Sequence, residues 1–188
     1  MEIETGGWHM LRKIKKAYRI ACIAIGKKRV NTILLVAGLA EWKAAATMLE
    51  LQQKDYFFCL KQTNLVPLAN RLAKRQDFEV MTLSQYLPDT YTLGDKHRWC
   101  DIHVPNIDKE HRIFVPCGIG KPEYIQKALR RAITEDDILI DDYSKNLTEW
   151  SAAGGTAIKW LNGINGNGGT FQGLRVMWVP DLEHIITG

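Results

Sequence analysis

The chain has 188 residues, 46% of them hydrophobic and 24% charged, with a formal net charge of +4. That length suits one domain with a real core, and the balance of apolar and charged residues excludes a disordered or low-complexity chain. No apolar run reaches the length of a membrane span, the most hydrophobic, "YRIACIAIG", being too short.

The charge is unevenly placed. Residues 1–31 hold eight Lys and Arg against Glu2 and Glu4, a net of +6, so the remainder carries −2 and is not expected to bind nucleic acid. In this basic extension the apolar residues at 11, 14, 18, 21 and 25 have helical spacing. Such a helix suits an anionic membrane surface or a nucleic-acid partner, or it packs on the domain or on a second copy of the chain in a homo-oligomer; packing is the reading favoured here. Lys27, Lys28 and Arg29 follow where a cleavage site would need small residues, which argues against a signal peptide. Cys22, Cys59, Cys100 and Cys117 form no CxxC pair and read as reduced thiols of a cytoplasmic protein.

Beyond the extension, five short apolar runs predict buried strands: "TILLVAG" (32–38), "FEVMTLS" (78–84), "RIFVP" (112–116), "DILID" (137–141) and "TAIKWL" (156–161). A sixth, "LRVMWVP" (174–180), follows the glycine-rich "NGINGNGG". Helical patterns alternate with them. "EWKAAATMLELQQ" is rich in helix formers, "NLVPLANRLAKR" has Asn64 as a cap, "KPEYIQKALRRA" has Pro122 in its first turn, and "SKNLTEWSAAGG" runs from a Ser144 cap to a Gly154–Gly155 stop. The alternation predicts an α/β fold with a doubly wound, mainly parallel sheet, which places ligands at the carboxyl ends of its strands.

Ser84, the "PCGIGK" loop with Lys121, and the pair Asp141–Asp142 fall at those ends. A hydroxyl and an ammonium suit phosphoryl oxygens, and paired carboxylates suit Mg²⁺. Each has a bland counterpart: a turn serine, a solvated lysine, and two aspartates favoured by the dipole of the following helix. Phe57 and Phe58 in "DYFFCL" read either as a pocket wall able to stack on a base or as core. Trp42, Trp99, Trp150 and Trp160 read as core, and His97, His103 and His111 lack metal-ligand spacing with the cysteines.

In that order, and with "LAEWKAA", "VMTLSQYL", "DKHRWCDIHVPNIDKEHRIFVPCGIGKPEYI" and "DILIDDYSKNLTEWSAAGGTAIKWLNGING" around them, these residues resemble the haloacid dehalogenase superfamily. Within it, the chain is similar to the small 5′(3′)-deoxyribonucleotidase-like branch, over about residues 39 to 175. The resemblance implies a three-layer, Rossmann-like domain over 32–188, with a small helical cap at about 40–63 shaping the substrate pocket. It implies Ser84 and Lys121 on a phosphate, Asp141 and Asp142 on Mg²⁺, and a phosphate or nucleoside monophosphate as ligand.

It also implies a DxD pair, nucleophile and general acid/base, at the end of the first strand. In "ILLVAGLAEW" those positions are Leu35 and Ala37, or Leu34 and Val36 in the other frame, and no aspartate precedes Asp55. A leucine cannot attack phosphorus and an alanine cannot shuttle a proton. The expectation is a catalytically impaired phosphatase homologue that still binds phosphate or a nucleotide, with Mg²⁺ binding weak or absent. Two alternatives stand: an active Mg²⁺-dependent phosphomonoesterase using a non-standard acid (Glu41 is the one nearby), and an interaction module acting through its basic N-terminal helix. A true pseudoenzyme, gene decay and a frame disruption upstream of Leu39 all fit the missing pair.

Overall fold

The computed structural model describes residues 22–27, 32–35, 54–86, 91–162 and 169–188, the first two segments by their backbone. In chain order these form β1 (Cys22–Lys27), β2 (Thr32–Leu35), α1 (Leu65–Leu72), β3 (Phe78–Tyr86), α2 (Thr92–His103), β4 (Arg112–Pro116), α3 (Lys121–Leu129), β5 (Ile138–Asp141), α4 (Ser144–Ala152), β6 (Thr156–Trp160), β7 (Leu174–Val176) and α5 (Val179–Thr187). No helix among the described residues is long and apolar enough to cross a membrane.

The sheet is assembled around β3 and β5. β4 pairs with β3, β6 with β5, and β7 with β6, all parallel. Both β1 and β2 are registered between β3 and β5: Val80 pairs with Ile25 and with Ile33, and Leu139 with Ala24 and with Leu34. A strand edge offers one row of N–H and C=O groups, so these are two claims on one position, antiparallel for β1 and parallel for β2. With β2 in it, the sheet is parallel throughout and runs β4-β3-β2-β5-β6-β7. Strand order then reverses between β2 and β5, and the crevice at such a reversal is where open parallel sheets take ligands.

The core follows from the sequence pattern. α1 buries Leu65, Val66, Leu68, Ala69 and Leu72, an i, i+3, i+4, i+7 stripe. α4 buries Leu147 and Trp150 and ends in a Schellman turn: Gly155 N–H donates to Trp150 O and Gly154 N–H to Ser151 O, each at 3.1 Å, with Gly154 at φ +98°. Trp99, Trp150 and Trp160 are buried, as expected; Trp42 lies outside the described residues. α1 touches α5 and α3 touches α4.

Five features differ from the reading of the sequence. The helix read across residues 11–25 is a strand where it is described, in Cys22–Lys27, and that strand pairs with the sheet. Of the cap at about 40–63, the described part, 54–63, consists of turns and irregular chain. The run "LRVMWVP" stops being strand at Val176, and Pro180 lies in the first turn of α5, which buries Leu182 and Ile186 one turn apart. Helix α2 is legible in no apolar stripe, because it turns Thr92, Asp95 and Lys96 inward beside Trp99 and Cys100. Ser144 is the first residue of α4 rather than its cap, a place held by the extended Tyr143.

Candidate functional site

β5 is apolar up to its last residue and then delivers Asp141 into the protein. Lys121, at the start of α3, reaches it from the neighbouring crossover: Lys121 Nζ lies 3.0 Å from Asp141 Oδ2, and both side chains are 0% exposed. Asn146 Nδ2, in the first turn of α4, donates to the same oxygen at 2.7 Å, and the Tyr143 N–H donates to Oδ1 at 2.8 Å. Three N–H donors thus hold the Asp141 carboxylate. Bringing the two charges out of water is costly, and only this degree of pairing offsets it.

Asp142, next in sequence, is also buried. Asn162 Nδ2 donates to its Oδ2 at 2.8 Å. Its pKa is pushed up to about 7, first by burial and then by the charge of Asp141; the Asn162 hydrogen bond and the charges of Lys121 and Lys159 pull the other way. Lys159 comes from β6, where it is in register with Asp141. Its Nζ donates to the Asp142 carbonyl at 2.6 Å and to Ser144 Oγ at 3.0 Å. Gly169 covers this corner so closely that a Cβ there would stand 2.8 Å from Ser144 Oγ.

Ser84 belongs to a second cluster. It is buried inside β3, which runs on to Tyr86, and its Oγ accepts a hydrogen bond from Lys96 Nζ at 2.9 Å. Lys96 also sits 4.5 Å from the centre of the Phe57 ring. The loop before α3 is tied to the same end of β3: Cys117 N–H donates to Tyr86 O at 2.9 Å, and Gln85 Nε2 to Ile119 O at 2.9 Å. These bonds tie the loop that precedes Lys121 to the strand end that follows Ser84.

Phe57 is buried and carries a lysine on its ring, whereas Phe58 is partly exposed beneath the Arg98 guanidinium, 4.3 Å from its centroid. Arg98 further bridges Asp95 and Asp55, and Trp99 Nε1 donates to Leu60 O at 2.7 Å. These contacts dock the 54–60 segment on α2. His97, His103 and His111 make ring or ion contacts: His97 on Phe114, His103 on Trp99, and His111 with Glu79. Cys59, Cys100 and Cys117 are free thiols.

The Asp141–Asp142 turn does not fit Mg²⁺. That ion demands near-octahedral oxygen ligation. Here both Asp141 oxygens take N–H donors, and a lysine occupies the Asp142 carbonyl. Among the described residues no group of three or more His, Cys, Asp and Glu could hold a metal ion. Leu35 closes β2 opposite Thr82 of β3, and Ala37 lies outside the described residues.

Sequence reasoning singled out Lys121 and Asp141, which meet. It missed Lys96, Asn146, Lys159 and Asn162. The signal for Lys159 was a lone lysine inside the apolar run "TAIKWL"; a buried strand tolerates one only with a partner. What fold and rim define together is an α/β protein with a parallel sheet and a buried charged cluster at the carboxyl ends of its strands. The chain matches no protein-family model and no curated protein.

Proposed function

We propose that this chain is a haloacid dehalogenase-like domain that no longer hydrolyses phosphate esters and retains a modest affinity for phosphate or a nucleoside monophosphate. The observation that carries the reading is the meeting of Lys121 with Asp141, two residues twenty apart in sequence, at the carboxyl end of β5, beside the reversal of strand order where such a sheet takes ligands. The three-layer arrangement belongs to the same proposal, and the separate α1–α5 and α3–α4 contacts support it. The phosphate would lie against the start of α3, where N–H groups and the helix dipole favour an anion, with Lys121 and Ser84 beside it.

Loss of hydrolysis follows from Leu35 and Ala37, which offer neither nucleophile nor proton carrier. A working phosphomonoesterase is the second reading. Asp142 favours it, since a carboxyl at about 7 is suited to general acid catalysis at neutral pH. A binding experiment tests the first reading: thermal melting with inorganic phosphate, deoxynucleoside monophosphates and the matching nucleosides. Phosphate and the monophosphates should raise Tm and the nucleosides should not. A panel without effect, or equal effects from nucleosides, would contradict phosphate recognition.

A further inference from the structure

We infer that Lys121 and Lys159 are the resident cations of the Asp141–Asp142 turn, supplying from within the chain the positive charge that would otherwise come from a divalent ion. The two ammoniums arrive from different elements, the start of α3 and strand β6, and converge on one four-residue turn. They take a carboxylate oxygen and a backbone carbonyl oxygen, both hard donors open to a divalent cation, at 3.0 and 2.6 Å.

Lys159 is the more telling of the two. A lysine in the interior of a parallel strand loses its hydration, and this one is 2% exposed, the largest side chain enclosed to that degree among the described residues after Trp150 and Lys121. Its neighbours along β6, Ile158 and Trp160, are core residues. Its ammonium is spent on Asp142 O and Ser144 Oγ, and Gly169, whose Cβ would lie 4.0 Å from Nζ, closes over it. An ion arriving from solvent would have to displace a charge that is covalently tethered and already desolvated. This inference concerns charge balance at the turn and does not depend on the chain's descent from phosphatases.

The test is thermal melting of the full chain in MgCl₂ and in NaCl of matched ionic strength, for wild type, Lys159→Met, and Lys159→Met with Asp142→Asn. Wild type should melt at the same temperature in both salts. Lys159→Met, which keeps the length of the side chain and removes its charge, should melt lower by roughly 10 °C. Removing one carboxylate with the lysine should recover most of that loss, because no uncompensated charge is left. The inference is overturned if wild type gains from Mg²⁺, if Lys159→Met melts like wild type, or if the double variant melts no higher than the single one. Should Lys159→Met fail to fold, the double variant decides: folding supports the inference, and failure to fold assigns Lys159 to packing alone. Phosphate affinity is not read in this experiment, so its outcome is separate from that of the proposed function.

Discussion

Lys121 and Asp141 form an ion pair, 3.0 Å between Nζ and Oδ2, in which neither side chain has any exposure. An ion pair in that position contributes little net stability compared with a well-packed apolar pair, yet neither partner can be lost alone. The chain keeps it with further donors from Asn146 and the Tyr143 N–H, so it fixes the geometry of the rim where α3, β5 and α4 meet.

Lys121→Met should therefore destabilise the protein by about 3–5 kcal/mol, because the Asp141 charge is left buried with too few partners. Denaturant unfolding measures this. Lys121→Met combined with Asp141→Asn should lose less than Lys121→Met alone; equal losses would show that the two residues are not coupled.

Stability should depend on pH through Asp142. Its carboxyl takes up a proton near 7 in the folded protein and near the ordinary 3.8 when unfolded. Between those values the folded state binds the extra proton, so stability rises as pH falls from about 8 towards 5. The charged groups acting on it are Asp141, Lys121 and Lys159. His111, raised by its hydrogen bond to Glu79, contributes in the same direction, so the comparison that isolates Asp142 is with Asp142→Asn. That variant should be more stable than wild type at about pH 8 and show a flatter profile. An unchanged profile would contradict the account of Asp142.

Gly155→Ala should destabilise by about 3 kcal/mol. A Cβ at Gly155 would fall 2.2 Å from Trp150 Nε1 and 2.8 Å from Ile133 Cγ2. Trp150 is enclosed and its Nε1 donates to Asp137 O at 2.9 Å, so moving the ring breaks a buried hydrogen bond. Near-ultraviolet circular dichroism, read with the melting curve, should show the Trp150 environment altered; an unperturbed spectrum and Tm would contradict the tight contact.

Much of the sheet was legible because β3, β4, β5 and β6 are buried runs with clear ends, and α1, α3 and α4 carry apolar stripes or proline and glycine signals. Helix α2 was not, since its inward face carries Asp95 and Lys96, whose burial is intelligible only from their partners Arg98 and Ser84. The same limit applies to the site. Lys121 and Asp141 stand out by their place after strands and Lys159 by the apolar run around it, while Asn146 and Asn162 act through distances that no local pattern encodes. Ser84 was read as a strand end, but pairing with β4 carries β3 two residues further, to Tyr86 opposite Pro116.

Hydrolysis of a panel of deoxynucleoside monophosphates and an aryl phosphate, with and without Mg²⁺, tests the central claim most directly. If, as proposed, Leu35 and Ala37 stand at the positions of nucleophile and proton carrier, the purified chain should release no phosphate above background in either condition. Mg²⁺-dependent turnover at an ordinary enzymatic rate, on the order of 1 s⁻¹ or more, abolished by Asp141→Asn, would contradict it and make the chain a phosphomonoesterase with a different nucleophile.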